Sequence, residues 1–167
     1  MMEESELKKI LIIAMLLSLS IVLQIIEGLF PIPFIIPGVK LGLANIIIVI
    51  VLYRYGFKDA LIIGVLRVFI AAILRNGFGI NFLLSLIGAI TSIIIMHIFK
   101  EKTKMTMIGI SIVGSNFHIL SQIIMATIIY RTNIFYVTHL PIMLTISILT
   151  GLIIGKIAKK IYINNYK

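Results

Sequence analysis

Residues 7–30 read LKKILIIAMLLSLSIVLQIIEGLF, in which a long apolar run follows Lys8 and Lys9. About 20 apolar residues are enough for a helix to cross the hydrocarbon of a bilayer. The run is longer than the apolar part of a signal peptide and has no small-residue cleavage site, so we expect a first span that is retained. The whole chain is similar: 60% of its 167 residues are hydrophobic, and the mean hydropathy is +1.19. This composition predicts an integral membrane protein.

Clusters of charge and proline divide the chain into six apolar runs. Helices are expected for all of them, because a helix satisfies its backbone groups within its own segment. We therefore predict an all-α bundle of six transmembrane helices, forming a single membrane domain over residues 1–167. The predicted spans are 7–30, 41–55, 59–74, 80–99, 105–130 and 140–161.

The basic residues predict the orientation of the bundle. Of 15 lysines and arginines, eleven lie in one set of termini and loops. Because basic loops usually face the cytoplasm, we predict a cell-membrane protein with both termini in the cytoplasm. The loops 34–39 and 134–137 then face outward. The net charge of +9 is read as an orientation signal and a contact with anionic lipid headgroups, and nucleic acid is not expected as a partner. The eleven are Lys8, Lys9, Arg54, Lys58, Lys100, Lys102, Lys104, Lys156, Lys159, Lys160 and Lys167.

Several kinds of chemistry are disfavoured by the residue types. The chain has no cysteine, which excludes disulfides, thiol catalysis and Cys-ligated metals. Residues 151–157 resemble a phosphate loop but lack its spacing and its Ser or Thr, so no ATP-binding motif is visible. Magnesium-dependent diphosphate chemistry usually needs several carboxylates around the metal, and Glu27 is the only acidic residue well inside a predicted span. We expect neither an enzyme nor a bound cofactor.

Arg67 is a charge inside the third predicted span, eight residues before Arg75. A charge at that depth is costly and normally faces the bundle interior with a partner. Glu27, near the outer end of the first span, is the carboxylate at comparable depth. Three interpretations remain open: a structural ion pair with Glu27, a site in which Arg67 binds an anionic ligand, or a side chain that reaches the membrane interface.

Other polar residues fall at similar depths. His118 and Gln122 are four residues apart and share a helix face, which predicts either ligand contacts or interhelical hydrogen bonds. Asn45 lies in the first turn of the second span, where the helix N-terminus favours an anion. Together these residues predict a polar pocket that opens outward, with Arg67 and His118 lining one cavity. The predicted ligand-binding residues are Glu27, Lys40, Asn45, Arg67, Arg75, Asn81, His118 and Gln122.

Small residues recur four apart on three predicted spans, and this spacing lets helix backbones approach closely. The pairs are Ala14 with Ser18, Gly88 with Ser92, and Gly151 with Gly155. Packing inside the bundle and docking of a partner membrane protein both remain open for them.

Several stretches resemble the Gx transporter family, also known as heptaprenyl diphosphate synthase component I. The most specific is PGVKLGLAN at residues 37–45. Further matches are Leu66-Arg67, residues 85–88 with Ser92 and Met96, residues 111–115 with His118 and Gln122, and Leu140-Pro141 with Thr150, Gly151 and Gly155. The chain departs from the family pattern at Ile119 and Ser121, where Asn and Gly are frequent.

The resemblance implies a function, since the family is grouped with the substrate-binding S components of energy-coupling factor (ECF) transporters. It implies capture of a small-molecule ligand outside, with a membrane coupling protein and cytoplasmic ATPases supplying energy, and Ala14 and Ser18 resemble the docking face of such components. The alternative is a non-catalytic membrane subunit of an isoprenoid, quinone or flavin-linked redox system.

Overall fold

The computed structural model describes residues 4–27, 42–131 and 140–166, and these residues form six α-helices. No β-strand occurs within these ranges, so the all-α prediction is confirmed. The third helix continues into a five-residue π-helical segment, Ala72–Asn76, that the sequence did not predict. In chain order the helices are α1 (Glu4–Glu27), α2 (Leu43–Arg54), α3 (Phe57–Ala71), α4 (Ile80–Lys102), α5 (Met107–Tyr130) and α6 (Leu140–Tyr166).

Four of these helices, α1, α4, α5 and α6, are long and apolar enough to cross a membrane. The chain therefore has the helices of a multi-pass membrane protein. Helix α2 has 12 residues and α3 has 15. At 1.5 Å per residue, α2 is about 18 Å long, shorter than the ~30 Å of bilayer hydrocarbon. That α2 and α3 also cross the membrane stays a prediction.

Side-chain contacts identify the two ends of the bundle. Lys9, near the start of α1, forms a 2.8 Å salt bridge with Asp59 near the start of α3. Lys100, near the end of α4, donates to the backbone oxygen of Leu52 near the end of α2 at 3.2 Å. We call this the basic end. The opposite end, where α1 finishes and α2 begins, is called the far end, and the sequence predicts that it faces outward.

Helix α2 lies at the centre of the packing, in contact with α1, α3 and α6. Every residue from Ile46 to Leu52 is buried, and Val51 and Leu52 have no exposed surface. A helix that is apolar on all sides is covered either by protein or by lipid, and here the neighbouring helices cover this part of α2. Asn45 is a polar residue in the first turn of α2, directly before this buried apolar stretch.

The small-residue pairs have different surroundings. A Cβ atom added to Gly151 or Gly155 of α6 would lie 2.7 Å from the Cα of Ile112 or Ile108 of α5, respectively, so packing inside the bundle is confirmed for this pair. At the second pair, Ser92 of α4 donates to the backbone oxygen of Gly114 at 2.8 Å, and this hydrogen bond joins α4 to α5.

Ala14 and Ser18 lie on an exposed face of α1. The Ser18 hydroxyl donates to the backbone oxygen of Ala14 at 2.9 Å, within the same helix. Large apolar residues flank this pair, including Leu11 and Met15, which are 55% and 72% exposed. Lipid and a partner protein are both compatible with such a face, so docking at Ala14 and Ser18 stays a prediction.

Candidate functional site

Arg67 of α3 is buried in the bundle with 5% of its surface exposed. Its Nη1 donates to Oδ1 of Asn45 in the first turn of α2 at 3.3 Å. Its Nε is buried and has no hydrogen-bond partner among the described residues. Of the three interpretations of Arg67, the one in which its side chain reaches the membrane interface is wrong, since the guanidinium is enclosed by protein.

Glu27, the last residue of α1, is also buried, with 8% of its surface exposed. Its Oε1 accepts a hydrogen bond from the backbone N–H of Gly42 at 2.5 Å. Its negative charge also interacts electrostatically with the Arg67 guanidinium. An ion pair between these two charges was one of the three interpretations left open, and the structure adds that the carboxylate is bound at the beginning of α2.

Gly42 precedes α2 and presents its N–H to Glu27 from a left-handed backbone conformation, with φ of 75°. Residues other than glycine rarely adopt this conformation. A Cβ atom here would also lie 2.9 Å from Cδ1 of Ile154 on α6. Glycine at this position therefore lets the N-terminus of α2 bind a carboxylate in a tightly packed interior. Residues Glu27, Gly42, Asn45 and Arg67 are called the charged cluster below.

His118 and Gln122 of α5 form a second group of polar contacts. Nε2 of Gln122 lies 3.2 Å from Nε2 of His118 and donates to the backbone oxygen of Leu84 on α4 at 3.3 Å. His118 packs against Gly88, since a Cβ atom there would lie 2.9 Å from the imidazole. The interhelical hydrogen bond predicted as one alternative for this pair is present.

Ser121 extends this second group. The hydroxyl of Thr91 on α4 donates to Oγ of Ser121 at 2.8 Å, and Ser121 donates to the backbone oxygen of His118 at 3.0 Å. The departure from the family pattern at Ser121 thus supplies a link between α4 and α5. Residues Thr91, His118, Ser121 and Gln122 are called the neutral cluster, because the hydrogen bonds described above for it involve no carboxylate, lysine or arginine.

The remaining predicted site residues lie elsewhere. Asn81 lines a pocket of about 20 Å³ with Gln24 and Ser85, between α1, α3 and α4 near the far end. That volume is close to what one water molecule needs. Arg75 is exposed in the π-helical segment. Lys40 and the predicted outward loops 34–39 and 134–137 lie outside the described residues.

The eight predicted residues are thus distributed over different contacts. The hydrogen bonds and charges connect Glu27, Asn45 and Arg67, and they separately connect His118 with Gln122. A single cavity lined by both Arg67 and His118 stays a prediction. Sequence reasoning missed the contact of Glu27 with Gly42, for which the left-handed glycine within PGVKLGLAN was the available signal.

The described residues include no group of three or more histidines, cysteines, aspartates or glutamates that could hold a metal ion. The charged cluster instead brings together a buried guanidinium, a buried carboxylate, a half-buried side-chain amide and a backbone N–H. Such groups bind oxygen-rich or charged small molecules through hydrogen bonds and electrostatic attraction.

A comparison with known families gives one match. The family model described as "Heptaprenyl diphosphate synthase component I" matches residues 16–161, which is most of the chain. No curated protein and no solved structure matches this chain. The matched range includes the charged cluster, the neutral cluster, the second half of α1 and most of each of the other five helices. The chain therefore belongs to the heptaprenyl diphosphate synthase component I family, as its resemblance predicted.

Proposed function

We propose that this protein is the substrate-binding membrane component of a small-molecule transporter, and that it captures a polar or anionic ligand at the charged cluster. The observation that carries the proposal is the burial of Arg67 with part of its guanidinium unpaired among the residues that the structure describes. Arg67 is 5% exposed and retains an Nε donor with no acceptor among the described residues. A buried charged donor without an acceptor is costly, and a ligand oxygen would offset that cost.

The predicted position of Arg67 inside a membrane span supports the same proposal. Intramembrane charges are rare and usually belong to substrate pathways. Pairing with Glu27 alone is the structural alternative, yet the Glu27 carboxylate accepts its hydrogen bond from Gly42. Arg67 is therefore the better candidate for direct contact with a ligand.

Energy for transport would come from other subunits. No ATP-binding motif is visible in the chain, so we propose a membrane coupling protein and cytoplasmic ATPases as partners, with docking at Ala14 and Ser18. The basic end would face the cytoplasm with both termini, since cytoplasmic loops are rich in lysine and arginine. The charged cluster, located at the far end, would then take its ligand from outside.

Orientation can be tested on the two ends of α4, because the chain has no cysteine of its own. Gly79 lies just before α4 with open space around it, and Lys102 is exposed at the end of α4. The variants Gly79→Cys and Lys102→Cys therefore place one thiol at each end. We expect a membrane-impermeant maleimide to label Gly79→Cys in intact cells, and Lys102→Cys only after permeabilisation. The reverse pattern would exclude capture from outside.

Ligand binding is tested by measuring thermal unfolding of the purified protein in detergent against vitamins, flavins, quinone precursors and isoprenoid phosphates. We expect one class to raise the unfolding midpoint. Arg67→Lys, which keeps the charge but loses the fork of donors, should weaken binding of that class by roughly tenfold or more, since a hydrogen bond to a charged group contributes about 1.5–3 kcal/mol. Lys102→Gln, which removes an exposed charge at the basic end, should leave it unchanged.

Two results would overturn this function. One is the absence of a shift with every compound on the wild-type protein. The other is equal ligand affinity in Arg67→Lys and wild type, which would leave Arg67 as a purely structural group.

A second candidate function is a non-catalytic membrane subunit of an isoprenoid, quinone or redox system, and the name of the matched family favours it. It predicts that adding the protein to a prenyl diphosphate synthase changes the rate or the length of chain elongation. It also predicts no ATP-dependent uptake when the protein is reconstituted with candidate ATPases. Measuring both activities on one preparation distinguishes the two functions.

A further inference from the structure

The charged cluster contains two groups that attract anions and one resident carboxylate. The N-terminus of α2 has a partial positive charge, as every helix N-terminus does. Arg67 adds a full positive charge, and its Nε is directed into the protein interior without a partner among the described residues. Glu27 supplies the only carboxylate among the contacts of the cluster.

Glu27 occupies the first of these two groups. Its Oε1 accepts from the N–H of Gly42, directly before the helix. The hydrogen bond spans 15 residues of sequence, and Gly42 needs a left-handed conformation to make it. An anionic group of a ligand would seek the same N–H, so Glu27 holds the position that a ligand anion would otherwise take.

Arg67 is the second group, and Glu27 affects it through charge. The carboxylate interacts electrostatically with the guanidinium, while Nη1 of the guanidinium donates a hydrogen bond to the neutral Asn45. In a buried site with little water, the single charge of Glu27 would strongly repel a ligand anion that carries several negative charges. A neutral carbonyl oxygen or a single negative charge at Arg67 would be repelled far less.

We propose that Glu27 sets the charge selectivity of the site: its carboxylate holds the N-terminus of α2 and thereby restricts the ligand to one with a single weakly charged or neutral acceptor group. Ligands with a diphosphate or another multiply charged group are excluded as long as Glu27 is ionised. This inference rests on the proposed function, because it takes the charged cluster as the binding site.

The test compares inorganic pyrophosphate with acetate as probes, using isothermal titration calorimetry on the purified protein and on Glu27→Gln. The glutamine amide oxygen can still accept from Gly42, so the variant removes the charge and keeps the contact. We expect Glu27→Gln to bind pyrophosphate at least tenfold more tightly than wild type, and acetate to change by less than threefold, on the order of what one buried like charge contributes. Glu27→Gln combined with Arg67→Gln should lose the gain.

Equal pyrophosphate affinity in wild type and Glu27→Gln would overturn the inference, and so would a gain that survives the change of Arg67. Should Glu27→Gln fail to fold, wild type alone gives the answer: pyrophosphate binding at least as tight as acetate binding contradicts the selectivity. The proposed function is tested separately, since ligand screening with Arg67→Lys does not involve Glu27. A ligand that needs Arg67, with no effect of Glu27→Gln on pyrophosphate, would keep the function and refute the selectivity.

Discussion

The charged cluster and the neutral cluster are both polar groups inside an apolar bundle, but their donors are used differently. In the neutral cluster, Gln122 and Thr91 each donate across the α4–α5 interface to a group on the other helix. In the charged cluster, Arg67 is buried beside Glu27 and still has an Nε without an acceptor in the described part of the chain. Burial of polar groups therefore does not by itself identify a binding site. The informative difference is charge: the charged cluster buries a guanidinium and a carboxylate, whereas the hydrogen bonds of the neutral cluster described above join uncharged groups.

The largest expected effect separates the clusters by stability. Arg67→Met removes the cation and leaves the buried Glu27 carboxylate without it. Breaking a buried pair in this way costs about 3–5 kcal/mol, which lowers the unfolding midpoint by roughly 6–20 °C. Adding Glu27→Gln to Arg67→Met should recover most of the loss, because neither charge of this pair then remains.

Thermal unfolding in detergent of the two single variants and the double variant measures this coupling. If the losses of Arg67→Met and Glu27→Gln simply add, the two charges do not depend on each other. The description of one charged cluster would then be wrong.

A smaller effect is expected at Gly42, which supplies the N–H to Glu27. Gly42→Ala forces a residue with a side chain into a left-handed conformation, at a cost of about 1–2 kcal/mol. Gly79→Ala is the matched control, because Gly79 has a negative φ of −90° and open space around it. We expect the unfolding midpoint to fall for Gly42→Ala only, and equal midpoints would show that the conformation of Gly42 is not required.

The smallest effect is expected in the neutral cluster. Thr91→Val keeps the shape of the side chain and removes the hydroxyl that donates to Ser121. Interhelical hydrogen bonds of this kind in membranes contribute about 0.6 kcal/mol on average. A loss of unfolding free energy as large as that of Arg67→Met would contradict the contrast between the two clusters.

The sequence predicted the helices well, because apolar runs and charged boundaries directly reflect the bilayer. The predicted span 80–99 corresponds to α4 (Ile80–Lys102), and 105–130 corresponds to α5 (Met107–Tyr130). The π-helical segment Ala72–Asn76 was missed, since nothing in an apolar run marks a change from four-residue to five-residue backbone hydrogen bonding.

The candidate site was harder to predict because an evenly apolar helix carries no signal of its rotation. Helix α2 is buried on all sides, so its sequence does not say which neighbour Asn45 faces. The contact of Glu27 with Gly42 depends on a positive φ and on how α1 meets α2, which periodicity does not encode. Asn116 and His118 face different neighbours from α5, since Oδ1 of Asn116 accepts from Ser147 of α6 while His118 packs on α4.

The central claim is that a ligand binds through Arg67 whereas the neutral cluster holds helices together. It is tested most directly by measuring the affinity of one ligand, identified by screening, for wild type, Arg67→Lys and Gln122→Met. We predict that Arg67→Lys loses roughly tenfold or more in affinity, and that Gln122→Met binds as wild type does despite a slightly lower unfolding midpoint. Unchanged affinity in Arg67→Lys, together with a loss in Gln122→Met, would contradict the account.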